Sequence, residues 1–186
     1  MKYYILSLLF VLSAVNVAAQ TKYFTKTGSI IFSSKSSLEN IEAVNNKVVS
    51  VWDVATGQIE LAVLMKGFEF EKALMQEHFN ENYVESDKYP KAVFTGIIEN
   101  SKAISLAKDN VATVKVNGSL TMHGVTNPVN TTAVITVKNG IVQAYCNFSI
   151  ALADYKIEIP SIVSDKINKT IAIAVTIPSF QLLNAK

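Results

Sequence analysis

Residues 68–94 read FEFEKALMQEHFNENYVESDKYPKAVF and hold the one convincing helical pattern in a chain that is otherwise rich in strand patterns. Phe70, Leu74, His78 and Phe79 recur at the three- to four-residue spacing that places side chains on one face of a helix. A short amphipathic helix needs an apolar surface to cover. Among strands, only a sheet or the mouth of a barrel supplies such a surface. The stretch therefore predicts a β-fold with one short helix across it.

The helix is expected to end early, and strand patterns continue on both sides of it. Asn80 and Asn82 are expected to break the helix, and Pro90 disfavours helical geometry at Tyr89, so a strand begins at Ala92. The predicted strands are residues 29–34, 38–45, 47–54, 58–66, 92–101, 111–122, 129–138, 141–152 and 170–177. This series predicts a mainly β fold, an antiparallel meander in one domain over residues 20–186.

Turn-forming residues separate several of these strands. Asn45-Asn46 and residues 55–57 (Ala-Thr-Gly) are predicted to be tight turns. Asn139-Gly140 is the strongest signal, because Asn-Gly favours a two-residue hairpin. The looped residues 154–169 are expected to pack across one end of the barrel.

Alternation along the strands predicts one consistently apolar wall. Ile59, Leu61 and Val63 alternate with polar residues, as in a soluble barrel with an apolar interior. An outer-membrane barrel has the same period with the faces exchanged, and it remains an alternative at this point. The helix favours the soluble barrel, since its apolar face covers an apolar lumen. Small side chains are expected to leave space in that lumen, namely those of Ala112, Ala144, Ala172 and Ala174.

The N-terminal residues predict export. Lys2 precedes an apolar run at residues 4–15, which is too short to span a bilayer, and residues 17–19 are small before a cut ahead of Gln20. A signal peptide is thus expected at residues 1–19, and a periplasmic or secreted location follows. The residue directly after the cut site is Gln20 and not a cysteine, so a lipoprotein anchor is not indicated.

The composition narrows the function classes. The 186 residues carry 17 basic and 15 acidic side chains, all basic ones lysine, so no nucleic-acid partner is expected. The single cysteine, Cys146, alternates with polar residues in a strand and is interpreted as a buried, unreactive thiol. The standard catalytic and metal-binding motifs are missing. His78 is interpreted first as a core histidine on the apolar face of the helix, and His123 first as a histidine that caps a turn by hydrogen bonding; the alternative for both is a contact to the head group of a ligand.

Three blocks carry a family resemblance. They are HFNENY at residues 78–83, SDKYPKAVF at residues 86–94 and GSLTMHGVT at residues 118–126. Together, in this order and spacing, they resemble the YceI-like family of periplasmic lipid-binding proteins over about residues 28–177. The resemblance implies an eight-stranded, lipocalin-like antiparallel barrel that holds a polyisoprenoid or similar amphiphile, with no catalytic residues.

We therefore expect non-catalytic binding, carriage or sequestration of an isoprenoid or fatty amphiphile in an apolar barrel cavity. The predicted cavity-lining, ligand-binding residues are Leu61, Val63, Phe70, Leu74, His78, Phe79, Leu120, His123, Phe148 and Ile150. No metal site and no cofactor are expected; the ligand is a polyisoprenoid or fatty-acid-like lipid. Transient membrane contact and a homodimer are further expectations. The alternatives are a structural or interaction barrel with a filled core and, behind it, a lipid-modifying enzyme.

Overall fold

The computed structural model describes residues 22–183, and the predicted signal peptide lies outside them. Within this part of the chain the strands are β1 (Lys22–Lys35), β2 (Asn40–Asp53), β3 (Gln58–Leu64), β4 (Glu69–Phe70), β5 (Lys91–Ile98), β6 (Asn110–Met122), β7 (Val125–Lys138), β8 (Ile141–Ala151) and β9 (Thr170–Leu182). The helix α1 spans Ala73–His78, and a single π-helical turn follows it at Phe79–Tyr83.

Eight of the described strands close into an antiparallel barrel. Their order around the ring is β1-β9-β8-β7-β6-β5-β3-β2, and pairing of β1 with β2 completes it. The two residues of β4 add to the edge of β2, where Phe70 lies opposite Ala43. A closed ring gives every strand two neighbours and so avoids the exposed edges of an open sheet. The predicted fold, a mainly β, eight-stranded antiparallel barrel with one short helix, is confirmed.

The connections between strands divide between the two ends of the barrel. The helix end carries residues 36–39 between β1 and β2, the segment 65–90 that contains α1, the β6–β7 turn and the β8–β9 loop. The opposite end carries the β2–β3 and β7–β8 turns and the β5–β6 loop. Each end has its own cluster of buried apolar side chains, one including Val48 and Tyr155 at the helix end and one including Trp52 and Ile135 at the opposite end.

The helix is shorter and more exposed than the sequence predicts. Phe70 does not belong to it, because its backbone pairs with Ala43 in the short β4 ribbon. No residue of α1 is buried, and Leu74 is 60% exposed. A six-residue helix with one partly covered face lies over the end of the barrel and does not form part of the packed core.

Asn80 and Asn82 do not break the helical path. The π-helical turn carries the chain on to Tyr83, and the amide of Val84 donates to the carbonyl oxygen of Phe79 at 2.9 Å. The Asn80 side chain takes part, since its Nδ2 donates to the carbonyl oxygen of Gln76 at 2.8 Å. Such a local side-chain bond lets asparagine stay within a helical turn.

The predicted turn at Asn45-Asn46 is wrong, because both residues lie inside β2. Asn45 is 1% exposed; its Nδ2 donates to the carbonyl oxygen of Leu64 and its Oδ1 accepts from the amide of Lys47, both at 2.9 Å. The register between β1 and β2 shifts on both sides of Gly28, close to this point. The irregularity is a β-bulge, in which the asparagine side chain satisfies groups that the ladder leaves unpaired.

Two of the predicted turns are confirmed, and the structure adds a third. Asn139 and Gly140 have φ values of 51° and 77°, as a two-residue hairpin with positive φ at both positions requires, and Gly57 has a φ of 79° in the β2–β3 turn. The same geometry joins β6 to β7 at His123 and Gly124, with φ values of 51° and 73°. Sequence reasoning left this hairpin unassigned, since histidine is a less typical first residue than asparagine.

The β8–β9 loop packs on the barrel at both of its ends, and near the second end the amide of Asn168 donates to Ser34 Oγ at 2.8 Å. Tyr155 and Ile157 are buried, as expected, whereas Ile162 is 89% exposed. Along β9 the alternation places Ile171 inside and Ala172 outside, so Ala172 does not make space in the lumen as expected. Ala144 does contribute to the lumen wall.

Candidate functional site

A cavity of about 470 Å³ runs through the barrel between the two ends. Side chains from all eight barrel strands line it, from Trp52 and Phe180 at the opposite end to Leu74 and Phe79 at the helix end. The lining is almost entirely aliphatic and aromatic, because it consists of the inward residues of the alternating strands. An apolar tube of this kind provides contact with a hydrocarbon chain and offers few hydrogen-bonding groups.

A pair of glycines keeps one wall of the cavity flat. Gly96 in β5 lies directly opposite Gly118 in β6, and the ring of Phe94 lies over both. A Cβ atom at Gly118 would come within 2.5 Å of both the Phe94 ring and the carbonyl oxygen of Thr95, which is too close for any side chain. The two glycines therefore let a large aromatic ring lie against the wall beside the lumen.

Four phenylalanines form an aromatic cluster beneath the helix end. Phe79 lies 5.3 Å from Phe32, 5.1 Å from Phe70 and 5.7 Å from Phe68, measured between ring centroids. Aromatic rings at such distances attract one another beyond their simple burial. The cluster joins β1, β4 and the helical turn, so the position of α1 depends on the rings that also line the cavity.

Charged residues surround the mouth of the cavity at the helix end. The Lys72 ammonium lies 2.9 Å from the Glu39 carboxylate, and Lys166 and His78 complete the polar rim. The hydrogen bond from Lys72 holds the pKa of Glu39 below its ordinary value, with a further contribution from the charge of Lys166. The rim carries both signs of charge and does not form a one-sign binding site for an anion.

His123 lies outside the cavity lining, although the sequence predicted it there. Its Nδ1 is 2.8 Å from the carbonyl oxygen of Tyr155, its Nε2 is 2.8 Å from the Glu85 carboxylate, and its ring packs edge-on to Tyr89. His123 thus links the β6–β7 turn to the segment 65–90 and to the β8–β9 loop. These hydrogen bonds are the structural role expected for it as one of two alternatives. Its hydrogen bond holds the pKa of the Glu85 carboxyl below its ordinary value.

The other predicted ligand-binding residues all border the cavity. From the barrel strands these are Leu61, Val63, Leu120, Phe148 and Ile150, and from the helix end Phe70, Leu74, His78 and Phe79. His78 is exposed at the mouth, whereas the sequence favoured a place for it within the core.

Several lining residues were missed by sequence reasoning. Phe32 was within reach, since the two-residue period of a strand places it on the same face of β1 as Ile30. Phe68 and Trp52 were not, because their inward positions depend on how distant parts of the chain close the barrel.

Cys146 borders the cavity from β8, and burial raises the pKa of its thiol to about 11. A thiol with so high a pKa is almost wholly protonated at neutral pH and is therefore a poor nucleophile. Among residues 22–183, no three His, Cys, Asp or Glu side chains gather where a metal ion could bind. The helices in this part of the chain are all too short or too polar to cross a membrane.

Comparisons with known proteins agree on the family and the fold. The model of the YceI-like domain matches residues 14–178. No curated protein matches the sequence. The structure is similar to a polyisoprenoid binding domain from Saccharophagus degradans implicated in plant cell wall breakdown, with a TM-score of 0.74 and 15% identity over 84% of this chain and 96% of that one.

Two further solved structures share the fold. BcnA from Burkholderia cenocepacia has a TM-score of 0.66 and 13% identity over 80% of this chain and 94% of its own. The YceI protein of Campylobacter jejuni has a TM-score of 0.50 and 17% identity over the full length of both chains. At identities this low, the similarity to these structures concerns the fold alone.

Proposed function

This chain belongs to the YceI-like family, and we propose that it binds an isoprenoid or fatty amphiphile inside its barrel without changing it chemically. The observation that carries the proposal is the apolar cavity of about 470 Å³. This volume falls in the range of roughly 300–1,000 Å³ that is typical of small-molecule sites. One structural relative is itself described as a polyisoprenoid binding domain, which supports the same ligand class.

Burial of a hydrocarbon tail supplies enough free energy for binding. Each methylene moved from water to the apolar lumen contributes about 0.8 kcal/mol, so about ten of them contribute about 8 kcal/mol. Part of this is offset by lost translational and rotational freedom, a cost of at least about 4 kcal/mol. A tail is thus held without any specific polar contact, which agrees with the apolar lining.

The residues that we place against the tail are Leu61, Val63, Phe70, Leu74, Phe79, Leu120, Phe148 and Ile150. The role that follows is carriage or sequestration, with no cofactor. The polar groups that come together near the barrel, around His123 and around Glu39, are engaged in ion pairs and hydrogen bonds. This engagement favours binding over catalysis.

Extraction of the purified protein with organic solvent, followed by mass spectrometry, tests the proposal. We expect one amphiphile per barrel, or stoichiometric uptake of farnesol when lipid-free protein is offered it. A protein that never yields and never takes up a lipid has a filled or unused barrel, and this result contradicts carriage. Conversion of an offered lipid to a product identifies an enzyme instead.

A periplasmic or secreted location is part of the proposal. It rests on the N-terminal pattern of Lys2 followed by an apolar run and small residues ahead of Gln20. The expected mature protein begins at Gln20, and N-terminal sequencing of the exported form measures this directly.

Transient membrane contact is proposed for the helix end. Leu38, Leu74 and Ile162 are all at this end and are 67%, 60% and 89% exposed. Apolar side chains around a cavity mouth suit brief insertion between lipid head groups. Flotation with phosphatidylglycerol vesicles should show weak binding that Ile162→Asp lowers, whereas Val111→Asp at the opposite end, also 67% exposed, leaves it unchanged.

We also propose a homodimer through the outer face of β1 and β9. Val44, Ile31 and Ala174 lie side by side on three neighbouring strands, and Ile31 is 37% exposed. A second copy would cover this apolar row. Sedimentation at micromolar concentration is expected to show a dimer, and a monomer there contradicts the proposal.

A further inference from the structure

The barrel wall is split between β7 and β8 in its half nearest the helix end. The ladder that joins these strands runs from Lys138 opposite Ile141 to Ala133 opposite Cys146 and stops there. Both strands continue beyond that point, since β7 extends back to Val125 and β8 extends on to Ala151. Over this stretch β7 stays paired with β6 and β8 with β9, so the two strands part only from each other.

Side-chain hydrogen bonds replace the missing ladder. Thr131 Oγ1 donates to the carbonyl oxygen of Asn147 at 2.7 Å, and Asn127 Nδ2 donates to the carbonyl oxygen of Asp154 at 2.6 Å. Pro128 lies in the split stretch of β7, and a proline within a strand is typical of an edge because it has no amide hydrogen to donate. The sequence of β7 therefore itself favours the gap between the two strands.

The split opens onto a cleft of about 430 Å³ on the outer wall. Its polar lining consists chiefly of uncharged side chains, including Asn130, Asn147 and Ser149, and the charged side chain among them is the carboxylate of Asp154. Uncharged amides and hydroxyls donate and accept hydrogen bonds at little desolvation cost, whereas a carboxylate repels a second anion. The cleft suits a neutral, hydrogen-bonding group better than a phosphate.

The cleft and the apolar cavity share one wall. Val129, Thr131, Phe148 and Ile150 line both, so the same side chains form the floor of the cleft and the wall of the lumen. Since no ladder bond joins the strands here, rotation of these side chains and loss of the hydrogen bond between Thr131 and Asn147 would open a path from the cleft to the lumen that avoids the aromatic cluster beneath α1. The apolar surface that suits a tail and the polar surface that suits a head group thus lie on the two sides of the wall at the same place.

The geometry points to the β7–β8 split as the site of the ligand's polar end, a neutral hydroxyl, amide or carbonyl group. This inference rests on the proposed function and adds a second site to it. The amphiphile is loaded sideways through the split, with its tail entering the lumen past Phe148.

Closing the split tests the inference. Asn130→Cys and Ser149→Cys would face each other if the ladder ran on, and a disulfide or a bifunctional maleimide joins them; all variants carry Cys146→Ala. The matched control is Thr136→Cys with Gln143→Cys, which lie opposite each other on the same strands in the intact ladder. Farnesol uptake, followed by displacement of N-phenyl-1-naphthylamine, should slow at least tenfold in the first joined protein and less than twofold in the second.

A second pair of variants tests the chemistry of the cleft. Farnesol and farnesyl phosphate have the same tail, and the unaltered protein should bind the alcohol at least tenfold more tightly. Ser149→Lys should narrow this ratio, while Gln143→Lys, on the same outer face of β8 but beyond the split, should not. An unchanged ratio in Ser149→Lys, or full-speed uptake by the joined protein, overturns the inference and leaves lipid binding intact. If the joined control, Thr136→Cys with Gln143→Cys, takes up no lipid at all, both this inference and the proposed lipid binding are overturned.

Discussion

The two ends of the barrel are closed by different means. At the opposite end Trp52 is fully buried, packs against the tilted ring of Phe180 at 5.8 Å between centroids and donates from Nε1 to Ser101 Oγ at 3.1 Å. At the helix end, α1 has no buried residue, and Leu74 is 60% exposed over the mouth of the cavity. One end is packed like a core, and the other is covered by an element with few buried contacts.

The difference separates stability from binding. Buried apolar contacts determine the free energy of unfolding, whereas elements with few of them open locally at low cost. We therefore expect substitutions around Trp52 to lower stability and substitutions on α1 to change lipid binding. Four experiments test this division.

Trp52→Ala should have the largest effect. The loss of a fully buried indole and the cavity left behind should lower the free energy of unfolding by about 3–5 kcal/mol. Urea unfolding followed by circular dichroism measures it. The matched change at the helix end is Phe79→Ala, because the Phe79 ring is only partly buried. If it lowers the free energy of unfolding as much as Trp52→Ala does, both ends are packed as core.

The reactivity of the Cys146 thiol reports on burial in the barrel wall between the two ends. Because burial raises the pKa of its thiol to about 11 from an ordinary 9.0, its thiolate fraction at pH 8 should be about a hundredfold lower than that of an unfolded thiol. Alkylation by iodoacetamide, measured by mass spectrometry, should be slow in the folded protein and fast in guanidinium. The folded rate should rise about tenfold per pH unit up to pH 10. Equal rates in both states would contradict burial of this thiol in the barrel wall.

Leu74→Glu tests the helix end directly. A carboxylate at the mouth should weaken farnesol binding about tenfold, or about 1.4 kcal/mol, because it meets the tail at the cavity opening. The free energy of unfolding should change by about 0.5 kcal/mol at most, since Leu74 is largely exposed. Val111→Glu, equally exposed at the opposite end, is the control. If the two variants bind alike, α1 neither lines nor covers the site.

Glu85→Gln should have the smallest effect, and it should depend on pH. The pKa of Glu85 is lowered in the folded protein, chiefly by its hydrogen bond from His123, so the ionised carboxylate stabilises the fold above its unfolded pKa. That contribution is lost as the pH falls through the folded pKa. Melting temperatures of the variant and the unaltered protein should differ at pH 7, and the difference should shrink as the pH is lowered below 4.5. A difference in melting temperature that stays the same at every pH would contradict this stabilising role of the Glu85 carboxylate.

Local chemistry made much of the fold predictable. Asn139-Gly140 forms its hairpin because few other dipeptides accept positive φ at both positions. The alternation in β3, β6 and β8 specifies which side chains face inward, and the predictions of Leu61, Val63, Leu120, Phe148 and Ile150 followed from it. The limits of α1 were harder, since Phe70 can serve a helix or a strand equally well until β2 offers it a partner.

The amino-acid pattern alone was sufficient for the antiparallel strand series and the apolar lumen, because hydrophobic period and turn propensity act between near neighbours in the chain, and three short sequence blocks were sufficient for the family. The bulge at Asn45, the bonds of His123 and the split between β7 and β8 depend on residues far apart in sequence. Trp52 and Ser101, which hydrogen-bond at the opposite end, are separated by 49 positions. Such contacts exist only after the ring has closed in one register, and the local preferences of each strand do not name the distant partner that this register brings to it.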